Sequence, residues 1–286
     1  MLKVVVPSGP VGAPRLLDSA RSEKMIAAGD SLARMRATAP LVHNITNYVA
    51  MNFMANVLIA VGASPAMVHA REEVAEFAKL AQALSVNIGT ADPDWGAAML
   101  EAARVMNDHA RPWVFDPVGV AATRFRQSLS ADLLALRPTV IRGNASEILT
   151  LAGMAGRARG VDAGDSVDAA IDAATTLAQS TKCVVAVSGP VDYVTDGAQA
   201  YRVANGHPLM ARVTVMGCSL NSVIAAFCVG QPVLDGTAAA LASYGLAGEM
   251  AARRAMGPGS FQPAFLDALD ALTPGALSEG ARVSRA

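Results

Sequence analysis

Residues 41–67 read LVHNITNYVAMNFMANVLIAVGASPAM, and the order of residue types in this stretch decides the fold class. An apolar pair, Leu41-Val42, is followed by His43, Asn44, Thr46 and Asn47, then by a mostly apolar helical run, then by a Gly-Ala-Ser-Pro turn into Met67. A core segment does not place that many amide and hydroxyl groups where a strand meets a helix. In layered α/β proteins that junction is where small ligands sit.

Outward from this stretch, β-rich runs alternate with helical ones. Strands are predicted at Pro65–Val68, Ser85–Ile88, Trp113–Phe115, Thr139–Ile141 and Cys183–Val187. Helices are predicted between them, over Val74–Ala83, Pro93–Asp108, Thr123–Leu136, Ala145–Ala155 and Ser166–Gln179. This rhythm implies an α/β protein with a mostly parallel central sheet and helices on both faces. Asp196-Gly197 then marks a hairpin between Asp192–Thr195 and Gln199–Val203. The remainder is helical: Ser219–Val229, Leu234–Ala255 and Phe261–Leu272. Without repeats or a domain linker, residues 23–274 read as one domain. Residues 1–22, rich in Pro and Gly, read as a flexible extension, and residues 275–286 as a loose tail.

Bulk composition narrows the function classes. The 286 residues are 52% hydrophobic and 16% charged, enough apolar material for one large core. A net charge of −1 gives no electrostatic case for nucleic acid or an anionic membrane. Cys183, Cys218 and Cys228 have no regular spacing, which argues against a disulfide framework or zinc site and for a reducing cytoplasm. The N-terminal apolar patch is too short for a signal sequence. No run reaches the roughly 18 apolar residues that a membrane helix needs, so a soluble protein is expected.

Four points where strand and helix meet carry polar residues, and all four are expected on one edge of the sheet. Asp116-Pro117 follows one strand, Arg142-Gly143-Asn144-Ala145-Ser146-Glu147 a second and Ser188-Gly189 a third; Gly217-Cys218-Ser219 opens a helix. Arg142 suits phosphate oxygens or a surface ion pair. Glu147, three residues after Asn144, either closes a capping box or holds Mg²⁺ through water. Asp116 either does the same for the metal or starts an Asp-Pro turn. Backbone N–H groups at Gly217-Cys218 favour an anion such as a transferring phosphate. A thiol there is expected to have a lowered pKa, unless Cys218 is a buried small hydrophobe like Cys183 and Cys228. His43 reads as a hydrogen-bonded structural residue. There is no GxxxxGK[ST] and no GxGxxG at a strand–helix turn, so neither a P-loop NTPase nor a standard dinucleotide fold is supported.

Taken together, HNITNYVAMNFMAN…GASPAM, Asp116–Gly119 (DPVG), Ile141–Ile148 (IRGNASEI), Arg159–Asp162 (RGVD), Asp192–Gly197 (DYVTDG), Pro208–Met210 (PLM) and Gly257–Phe261 (GPGSF) closely resemble the hydroxyethylthiazole kinase family over about residues 30 to 272. The resemblance implies a ribokinase-like fold and transfer of the ATP γ-phosphate to the hydroxyl of 4-methyl-5-(2-hydroxyethyl)thiazole, in thiamine biosynthesis or salvage. It implies Mg²⁺ as cofactor and a homotrimer with active sites between subunits. By the same resemblance, Met67, the Asn44 region and Val215 line the thiazole pocket, and Arg142 and Ser188 contact ATP. Asp116 and Glu147 lie near metal and phosphates, and Gly217 and Cys218 form the catalytic turn.

Before its cysteine the family pattern is Gly-Thr-Gly-Cys, whereas this chain has Val215-Met216-Gly217-Cys218. If the first position needs a positive φ, a β-branched Val is strongly disfavoured there. A Thr hydroxyl that could donate to phosphate is also replaced by Met. Two alternatives follow from the change. One is a kinase for another small heterocyclic or sugar alcohol, with Met216 projecting near the acceptor. The other is a thiazole-binding relative with impaired turnover.

Overall fold

A computed structural model describes residues 27–153 and 167–286; the expected N-terminal extension and the RGVD block lie outside these residues. The order begins α1 (Ala28–Thr38), β1 (Leu41–Ile45), α2 (Met51–Val61), β2 (Ser64–Met67), α3 (Val74–Ala78), β3 (Ala83–Asn87), α4 (Pro93–Asp108) and β4 (Trp113–Asp116). It continues with α5 (Arg124–Ala135), β5 (Val140–Asn144), α6 (Ala145–Leu151), a 3-10 turn at Val167–Ala170, α7 (Ile171–Thr181) and β6 (Val184–Ser188). The hairpin β7 (Asp192–Thr195) and β8 (Ala200–Val203) leads through a 3-10 turn at Pro208–Arg212 into α8 (Met216–Phe227). Then come α9 (Val233–Ala252), α10 (Pro258–Ala271), α11 (Pro274–Gly280) and β9 (Val283–Arg285).

Local chemistry sets many of these boundaries. Asp92 caps α4 by accepting from Trp95 N at 2.8 Å, with Pro93 at the first helical position. Thr123 caps α5 in the same way. Gly62 ends α2 at φ 102, a conformation that glycine adopts without penalty.

The strands form one sheet in the order β2-β1-β3-β4-β5-β6-β7-β8-β9. β1 to β6 run parallel, and β7, β8 and β9 continue it antiparallel. Alternate residues pack into opposite layers. Val184 and Ala186 join the core under α1, α2, α8, α9 and α10, whereas Val185 and Val187 join that under α3 to α7. Burial on both faces explains why these strands read as continuous apolar runs.

Three expectations change. The helix predicted over Val74–Ala83 stops at Ala78, because Gln82 N must reach Leu41 O and Ala83 must pair with Val42 in the sheet. The helix predicted from Ser219 starts at Met216, which puts Gly217 and Cys218 inside its first turn. The segment expected as a loose tail forms α11 and β9. Thr273 caps α11, Leu277 is buried, and β9 pairs with β8.

Candidate active site

The parallel strands β1 to β6 all end on one edge, and period-2 alternation decides what faces α8 there. Val42, Ala83, Val114, Val140 and Ala186 belong to the α8 layer, so Asn44, Ser85, Asn87, Asp116, Arg142 and Ser188 project towards the same side. The apolar layer below thus turns polar at its upper rim. Strand register sets Asn87 beside Asp116 and Asn144 beside Ser188.

Asp116 is buried in this rim. Its Oδ2 accepts from Asn87 Nδ2 at 2.6 Å and from the Asn221 amide of α8, while Oδ1 has no partner. Burial pushes its carboxyl up to about 7; Glu147 adds to the rise, and Arg142 and the two amides oppose it. The network extends through Asn47, whose Nδ2 donates to Asn87 Oδ1 at 2.8 Å and to Cys218 Sγ at 3.4 Å. Cys218 departs from the sequence expectation of a lowered pKa. Burial first, then Asp116, raises the thiol, outweighing Asn47 and Arg142.

Arg142 links β5, β6 and α8. Its Nη2 donates to Ser188 Oγ at 2.5 Å. A Cβ on Gly217 would lie 2.8 Å from Arg142 Nη1, so only glycine lets the guanidinium approach the helix start this closely. Val215, just before α8, has φ 66, the left-handed conformation. Met216, expected to project near the acceptor, is buried with its sulfur 3.8 Å from the Tyr244 hydroxyl, and it still contributes to the wall of the Arg142 cavity. Arg142, Ser188, Val215 and Gly217 line one cavity of about 660 Å³, walled also by Asp192, Asn205, Gly206, Met210, Leu241 and Tyr244. Burial pushes Asp192 up to about 7, opposed by its hydrogen bond from Gly189 N and by Arg142.

The Asn205-Gly206 wall is fastened by the chain's last segment. Arg282 donates to both carboxylate oxygens of Glu249 at 2.6 and 3.0 Å and to Ala204 O at 2.7 Å. Glu249 Oε1 in turn accepts from Gly206 N and Asn205 Nδ2.

Glu147 closes the capping box with Asn144, its Oε2 accepting from Asn144 N at 2.9 Å while Oε1 accepts from Gly119 N at 3.0 Å. It lines a neighbouring cavity of about 700 Å³ that shares Ser188 with the first. Two expected site residues stand apart. Asn44 is buried and its amide donates to Val42 O and Ala66 O. Met67, half-buried, ends the edge strand β2, and neither residue lines the Arg142 cavity. His43 is structural, with Nε2 donating to Val68 O at 2.7 Å. Sequence reading did not assign Asn87, Asn221 or Tyr244. An amide inside an apolar strand was a signal for Asn87; the helix residues gave none.

Residues 32–275 match the hydroxyethylthiazole kinase family. A hydroxyethylthiazole kinase of Cereibacter sphaeroides is 60% identical over 90% of this chain and 98% of its own. The solved hydroxyethylthiazole kinase of Pyrococcus horikoshii is 38% identical, with a TM-score of 0.84 over 92% of this chain and 100% of its own. A ribokinase-like superfamily protein of Enterococcus faecalis, 12% identical with a TM-score of 0.63 over 86% of this chain and 95% of its own, shares the fold. With polar strand ends gathered under the start of α8 on a ribokinase-like sheet, and these matches across most of its length, the chain belongs to the hydroxyethylthiazole kinase family.

Proposed function

We propose that this chain transfers the γ-phosphoryl group of ATP to the hydroxyl of 4-methyl-5-(2-hydroxyethyl)thiazole, a step of thiamine biosynthesis or salvage. The observation that carries this reading is the Arg142 guanidinium set against Gly217 at the N-terminus of α8. Free backbone N–H groups, the helix dipole and an arginine fork meet at one place, which suits the charge of a phosphoryl group in flight.

Each residue then has a role. Arg142 and Ser188 bind phosphate oxygens, and the Gly217 turn receives the charge that develops on transfer. Cys218 keeps its proton, so it orients the acceptor hydroxyl rather than deprotonating it. Asp116 and Glu147 fit Mg²⁺, which takes one or two carboxylates and otherwise water and phosphate oxygens. The unpartnered Asp116 Oδ1 is the observation that favours this. Bound there, the metal would neutralise charge on the phosphates.

Met67 and the Asn44 region sit at the other end of the edge, beside exposed Tyr48 and Val49. Such side chains next to a site suit burial by a second copy, and a homotrimer with interfacial thiazole pockets accounts for them. No helix among the described residues is long and apolar enough to cross a membrane. The three cysteines are free, which accords with the cytoplasm.

Purified protein with ATP, Mg²⁺ and the thiazole alcohol tests the proposal. ADP release that depends on the alcohol is expected. Saturable thiazole binding with no alcohol-dependent ADP would sink it and leave a binding protein.

A further inference from the structure

Val215 holds φ 66 and ψ 2, a left-handed region that a β-branched residue enters only at a cost. Such a conformation persists only where the surroundings impose it. Two buried hydroxyls converge on this turn. Tyr244 of α9 donates to Met216 O at 2.9 Å. Ser219 Oγ lies 2.9 Å from Val215 O, 3.2 Å from Met216 O and 2.7 Å from the Tyr244 oxygen. With one proton each, Tyr244 serves Met216 O while Ser219 serves Val215 O or Tyr244. The Ser219 backbone N–H also donates to Val215 O at 2.9 Å. Phe265 fixes the tyrosine ring edge-on at 4.7 Å. Tyr244 and Ser219 are 2% and 0% exposed, and none of the roles given above uses them.

We propose that Tyr244 and Ser219 are positioning residues that lock the strained Val215-Met216 turn. By holding the carbonyls of Val215 and Met216 back into the protein, they keep the first N–H groups of α8 aimed at the transferred phosphate. In this chain they replace the conformational freedom that a glycine at position 215 would supply. The inference rests on the reading of that turn as the phosphate seat.

The test is a double-mutant cycle read by kcat, with folding of each variant checked by circular dichroism. Tyr244→Phe keeps the ring packing and removes the hydroxyl. On the Val215 background it should lower kcat about tenfold, with the KM for ATP changing less than about twofold. On the Val215→Gly background the same change should lower kcat by less than about twofold, because glycine keeps the turn without the lock. Ser219→Ala should repeat the pattern and serves if Tyr244→Phe does not fold. An unchanged kcat in Tyr244→Phe, or an equal loss on both backgrounds, overturns the lock. Absence of alcohol-dependent ADP release from the unmutated protein would instead overturn the phosphate-seat reading, and the lock with it.

Discussion

Asn47 and Cys218, 171 positions apart in sequence, meet at 3.4 Å, with the asparagine amide donating to the sulfur. The same amide serves Asn87, which in turn holds Asp116. The thiol is thus oriented by the network that steadies the buried carboxyl. Since it stays protonated, positioning is its expected contribution. Cys218→Ala should lower kcat by about tenfold while leaving thiazole binding nearly intact. An unchanged kcat in steady-state assays would remove Cys218 from the mechanism.

Arg142 works through a planar fork that touches Ser188 and faces Gly217. A lysine carries the charge without the fork. Arg142→Lys should therefore reduce kcat/KM for ATP by about 10²-fold despite the retained charge. Retention of full activity by the lysine variant would mean that charge alone suffices.

His43 is neutral when folded. Burial, only partly offset by the Val68 hydrogen bond, lowers its pKa to about 4 from 6.5. The unfolded chain takes up the proton near 6.5, so stability is full above that pH and falls as pH drops towards 4. Asp116 and Asp192, raised to about 7, shift stability the opposite way. The comparison must therefore be with His43→Gln, which carries both aspartates. Between about pH 7 and about pH 4.5 the unmutated protein should lose about 2–3 kcal/mol relative to this variant in urea unfolding. A pH-independent difference would contradict the assignment.

Arg282 fastens the Asn205-Gly206 wall through Glu249. Arg282→Ala should lower stability by about 1–2 kcal/mol and raise the KM for ATP about threefold or more, with kcat little changed. Isothermal titration with a non-hydrolysable ATP analogue separates the two effects. Unaltered nucleotide affinity would show that the wall stands without this anchor.

The strand ends that build the site were legible in sequence because each is a local event, an apolar run closing on a polar residue. Asp116, Arg142 and Ser188 were singled out this way, and the parallel rhythm implied the common edge on which the structure places them. What failed depended on tertiary surroundings. The Cys218 thiol was read from its place at a helix start, but burial, which sequence does not show, reverses the sign of its shift. Sequence also did not show that Asn44 is buried, its amide nitrogen serving Val42 O and Ala66 O while its Oδ1 has no partner. α11 and β9 are too short for periodicity to reveal, although Thr273-Pro274 carried a helix-start signature.

The hydrogen bonds that link Asn47, Asn87, Asp116, Cys218 and Asn221 join residues 29, 40, 105 and 171 positions apart. Loop closures of that span come late, because their entropy must be paid before the contacts reward it. A refolding chain can therefore regain helix and much of its apolar collapse while this rim is still open. Recovery of nucleotide binding should follow the slowest structural phase, making the site a reporter on completion of the whole sheet rather than of any one segment.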